Sequence, residues 1–103
     1  MIFHVTATHT ADDCPMYQPE LQEAVRASAA ATEETARSLG VTIDFAVTAA
    51  PDHVLYYLLE ADNFDAVQRF LASLPIKQEF SIKPVATLVE TSNAVLTAAE
   101  AHA

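Results

Sequence analysis

His4, His9, Cys14 and His53 are the side chains of this sequence best able to do chemistry. Imidazole and thiolate are good ligands for Zn, Ni or Cu ions, and the carboxylates of Asp12 and Asp13 can add an oxygen ligand. No CxxC pair or HExxH run frames these residues, so any site must be assembled by the fold. The same region admits a second chemistry, with Cys14 as a nucleophile and a histidine as its base. A third draws on Tyr56, Tyr57 and Glu60, which can line a pocket between a sheet and helices. Were Glu60 buried there, its pKa would be raised and it could move protons, which makes Tyr57 and Glu60 the candidate catalytic residues. Against these stand the plain readings: surface histidines, a buried cysteine, solvated acids, and tyrosines that pack and hydrogen-bond their tips. His102 lies near the end of the chain and is expected to be solvated.

The elements that position these residues are legible from periodicity. Ile2 to Thr8 alternates and is rich in β-branched residues, which predicts a strand. His9 to Pro19 is a polar connection. Glu20 to Leu39 reads as a long helix, with Pro19 in its first turn and a stripe at Leu21, Ala24, Val25, Ser28, Thr32, Ala36 and Leu39. Gly40, the only glycine, sits where a left-handed residue ends a helix. Val41 to Ala49 predicts a second strand, with Val41, Ile43, Phe45 and Val47 on one face. The turn Ala50-Pro51-Asp52 joins it to a third strand, His53 to Glu60, as an antiparallel hairpin. Asp62 or Asn63 caps a second helix with an apolar stripe at Phe64, Val67, Phe70, Leu71 and Leu74. Phe80 to Glu90 predicts a fourth strand, at an edge or bulge because Pro84 lies inside it. Residues 1–90 thus form the domain, and 91–103 an Ala-rich tail that can form a short helix from near Ser92.

Strand, helix, strand, strand, helix, strand predicts an α+β, ferredoxin-like fold: a four-stranded antiparallel sheet with two helices on one face. In that topology the first and third strands run antiparallel side by side. The end of one lies near the start of the other, so His53 comes close to His9 and Cys14. His4, further down the first strand, stays outside this cluster. The third strand also has apolar residues on both faces, Leu55, Tyr57 and Leu59 on one and Val54, Tyr56 and Leu58 on the other. Both faces of the sheet therefore need a cover; a second copy of the chain is the simplest cover for the face without helices, and a thick monomeric core closed by the C-terminal tail is the alternative.

This element order resembles the dimeric α+β barrel superfamily over nearly the whole chain. The opening FHVTATHTADDCP resembles small uncharacterised members of that superfamily. The resemblance implies two facing sheets in a homodimer. It leaves the activity open among cofactor-free monooxygenases, small isomerases, haem-degrading enzymes and metal-binding proteins. There is no tryptophan, and no haem-degrading set of residues matches.

Composition narrows the partners. The 103 residues carry a net charge of −9, from 14 acidic and 5 basic residues. A phosphate backbone or an anionic membrane surface needs Lys and Arg, so neither nucleic acid nor membrane is an expected partner. One cysteine allows no intrachain disulfide and suits a reducing cytoplasm. The opening residues lack the basic, apolar pattern of a signal peptide, and one glycine cannot build a phosphate-binding loop. The reading is a small homodimeric binding protein that holds a metal ion (Ni, Cu or Zn) or small ligand at His9, Cys14 and His53. Two alternatives stand beside it. One is a cofactor-free monooxygenase or isomerase with an apolar pocket; the other is a structural or interaction dimer without a small-molecule site.

Overall fold

Seven elements follow one another in the computed structural model, which describes residues 1–102. They are β1 (Ile2–Thr8), α1 (Pro19–Ser38), β2 (Val41–Ala49), β3 (Val54–Ala61), α2 (Phe64–Ala72), β4 (Glu79–Val85) and α3 (Leu88–Ala101). The strands form one antiparallel sheet in the order β2-β3-β1-β4, so the fold is α+β and ferredoxin-like in outline, with a third helix added. No helix among the described residues is long and apolar enough to cross a membrane.

Alternation in β1 decides which face of the sheet is covered. Phe3, Val5 and Ala7 are buried, and their partners across the ladder are Leu59, Tyr57 and Leu55. Val67, Phe70 and Leu71 of α2 and Ala36 of α1 close over this face and complete the core. Burying a side chain the size of Phe70 or Leu59 contributes about 1.5–3 kcal/mol, so this cluster is the main source of cohesion. Asn63 starts α2 by accepting a hydrogen bond from the Ala66 amide, which satisfies a donor left free in the first turn. Along α1 the stripe of small residues packs less tightly. Ala36 alone is fully buried, and Ala24, expected within the stripe, is exposed. Gly40 has φ +80°, the left-handed value that ends α1.

Two expectations need correction. In β2 the ladder slips between Ile43 and Phe45: Ile43 lies opposite Leu59, but Phe45 lies opposite Leu58. The bulge at Asp44 flips every later residue to the other face. Phe45 and Val47 therefore leave the helix-covered side and join Tyr56, Leu58 and Val54 on the open side, where Phe45 is 40% and Val47 54% exposed. The fourth strand is also shorter than expected, ending at Val85, and Leu88 to Glu90 begin α3. Thr87 caps that helix by accepting from the Glu90 amide at 3.1 Å. No residue of α3 is buried, and the molecule reaches 62 Å along its longest axis. Pro84 does lie on an edge strand, since β4 pairs with β1 alone.

Candidate metal site

Central strand β1 runs between β3 and β4, and its last rung pairs Thr8 with Val54 on one side and Glu79 on the other. One step further along both registers sets His9 opposite His53 and Gln78. The ladder is in fact continued there: the His9 amide donates to the His53 carbonyl at 3.2 Å. On the other side, His9 Nδ1 lies 3.4 Å from Gln78 Oε1. A row Gln78, His9, His53 thus crosses one end of the sheet.

Two short turns bring the rest of the site to this row. After β1 the chain makes a 3-10 turn at Ala11–Asp13, closed by bonds from the Asp13 amide to the Thr10 carbonyl and from the Cys14 amide to the Ala11 carbonyl. This curls Cys14 back under His9, where it is 3% exposed. A second 3-10 turn, Ala50–Asp52, ends at His53 with φ 54°, a left-handed conformation uncommon in residues other than glycine. The imidazoles of His9 and His53 meet edge to face at 5.4 Å between ring centroids, and the Tyr17 ring lies 5.9 Å from His53.

The result is a compact set of donor groups. One ligand atom each from His9, Cys14 and His53 lies within 4.8 Å of the others. His9 Nε2, His53 Nδ1 and Gln78 Nε2 are buried and have no hydrogen-bond partner among the described residues. A buried polar atom left unsatisfied costs about 1–3 kcal/mol, and a bound group or water removes that cost. A metal ion bound here would take the lone pairs of deprotonated imidazole nitrogens and a thiolate together. The three expected ligands are thus brought together. His4 is not among them; it pairs with Leu58 and Lys83, and its ring lies 6.3 Å from Tyr56. Asp12 and Asp13 also stay outside the group, with Asp13 accepting a hydrogen bond from Thr10 Oγ1 at 3.2 Å.

Two clefts flank the row. A polar one of about 380 Å³ is bounded by Thr8, His9, Asp13, Lys77, Gln78 and Glu79. An apolar one of about 150 Å³ lies between α1, β3 and the segment before β4, against Val25, Leu55, Tyr57 and Leu74. Gln78 borders both. Tyr57 is buried at the base of the apolar cleft, packs edge to face on Phe70, and burial raises its phenol above the ordinary value. Tyr56 and Glu60 do not share this cleft. They pair with Thr6 and Ile2 and so point to the open face, where Glu60 is exposed. The expected acid–base grouping of Tyr57 with Glu60 is therefore split by the pleat.

Neither Gln78 nor Tyr17 is singled out by residue type. The one signal for Gln78 is positional, and it requires the β1–β4 register to be known to the residue. No protein-family model and no curated protein matches this chain.

Proposed function

We propose that this chain is a small metal-binding protein, with His9, Cys14 and His53 as the ligands of a Zn, Cu or Ni ion. The observation that carries this reading is that ligand atoms of two histidines and a buried thiol lie within 4.8 Å of one another, each histidine having a buried nitrogen without a partner. Nitrogen and thiolate donors favour these softer ions over Mg or Ca, which take oxygen ligands. Three protein ligands leave at least one coordination position for water or a small ligand, the pattern of an open zinc site. The polar cleft beside His9 is the natural approach to that position. An enzyme working in the apolar cleft has less support, since Tyr57 is the one titratable side chain among the residues bordering it.

The functional unit in this reading is a homodimer. Phe45, Val47, Val54, Tyr56 and Leu58 make the helix-free face apolar, and Leu88, Val89, Val95 and Leu96 of α3 are exposed as well. A second copy covers such a face with like surface, as a two-fold interface requires. The test of function is metal titration of the apo protein, followed in the thiolate-to-metal absorption of Co(II) or Cu(II). One equivalent per subunit supports the site. Failure of Cys14→Ser and wild type to differ overturns it.

A further inference from the structure

Gln78 is 69 positions from His9 in the chain, yet its side-chain oxygen meets His9 Nδ1 at 3.4 Å. A neutral imidazole carries its proton on one nitrogen, and the partner of each nitrogen decides which. A carboxamide oxygen can only accept, so with Gln78 Oε1 facing the ring this contact puts the proton at Nδ1, and it leaves the Gln78 amide nitrogen buried without a partner. The lone pair is then at Nε2, the atom the fold buries without a partner. At His53 the unpartnered atom is Nδ1 instead. The two imidazoles thus differ in which nitrogen is buried without a partner, and one ligand atom of each lies within 4.8 Å of that of Cys14.

We propose that Gln78 is the positioning residue of the metal site: it holds His9 in the Nδ1–H tautomer, so that His9 binds the ion through Nε2 while His53 binds through Nδ1. This rests on the metal-site reading and adds the element that prepares the site before the ion arrives. A ligating histidine is usually oriented by such a partner on its other nitrogen. Gln78 is well placed for it, because the segment leading into β4 is held by the β1–β4 ladder and not by the mobile ends of side chains. The amide also leaves the thiolate as the only anion contributed by the three ligands and their partner, so a carboxylate here would strengthen the hold on a cation.

The test combines two readouts on wild type, Gln78→Leu and Gln78→Glu. The first is the tautomer of His9 in metal-free protein, read from imidazole ¹⁵N shifts under conditions where the ring is neutral. The second is Zn(II) affinity by competition with a chromophoric chelator. The expected result is Nδ1–H in wild type and Gln78→Glu, and a mixed or Nε2–H population in Gln78→Leu. Zinc affinity falls by about 10–100-fold in Gln78→Leu and is kept or raised in Gln78→Glu. An Nε2–H tautomer in wild type overturns the proposal, as does full affinity in Gln78→Leu. Should Gln78→Leu fail to fold, the wild-type tautomer and Gln78→Glu still decide it. Absence of zinc uptake by wild type, with Nδ1–H present, overturns the metal-site reading and not the tautomer assignment.

Discussion

The amide of His9 donates to the carbonyl of His53 at 3.2 Å, so the backbone itself joins two of the three candidate ligands. This bond extends the β1–β3 ladder one step beyond its last rung, Thr8 with Val54. The imidazoles are thus held close by the sheet, and their spacing does not depend on a flexible loop.

His53 occupies this place at a cost, because its φ of 54° is left-handed. A residue with a Cβ is disfavoured there by about 1–2 kcal/mol relative to its right-handed form. Glycine removes that penalty but loses more chain entropy on folding. His53→Gly is therefore expected to leave unfolding stability unchanged or raise it by up to about 1 kcal/mol, while metal affinity drops. His53→Val, β-branched in a left-handed position, destabilises by at least about 1 kcal/mol. Urea unfolding of the metal-free variants checks both. A His53→Gly protein much less stable than wild type would count against strain at this site.

The bulge at Asp44 gives the open face its apolar character, since it moves Phe45 and Val47 there. Neither side chain supports the core of its own subunit. Glutamates at both positions are expected to change protomer stability by less than about 0.5 kcal/mol, as for surface substitutions generally, and to convert dimer to monomer in sedimentation velocity. A wild type that sediments as a monomer would remove the basis for a paired sheet face.

Tyr57 makes stability sensitive to alkaline pH. Burial holds its phenol above the ordinary value of 10.0, because the charged phenolate is disfavoured away from water. As pH rises through 10.0, the unfolded chain releases this proton while the folded chain keeps it. The stabilisation is complete below that pH and is lost above it, until the folded form also titrates. Thermal unfolding should show a loss of stability above about pH 10 that is smaller in Tyr57→Phe. Identical alkaline profiles for the two proteins would show that Tyr57 is not the source.

Much of this was legible in the sequence, and the misses have physical causes. Alternation in Ile2–Thr8 marks the covered face correctly, because β1 is regular along its whole length. Strand order alone brings His9 beside His53, because antiparallel neighbours place the end of one strand beside the start of the next, and Cys14 joins them through the 3-10 turn after β1. The faces of β2 were not legible past Ile43, since a bulge at an ordinary Asp leaves no period to read. The start of α3 was obscured because Leu88 and Val89 extend an apolar run from β4, although Thr87 and Glu90 have the spacing of a helix cap. Gln78 has no distinctive chemistry, and its place beside His9 follows from register alone.

The most direct test is elemental analysis of protein purified without a His tag, with Zn, Cu and Ni measured per subunit before and after chelator treatment. The account predicts close to one ion per subunit, recovered on titration and lost in His9→Ala, Cys14→Ser and His53→Ala proteins that keep their fold by circular dichroism. Metal-free protein that takes up none of the three ions on titration would contradict it.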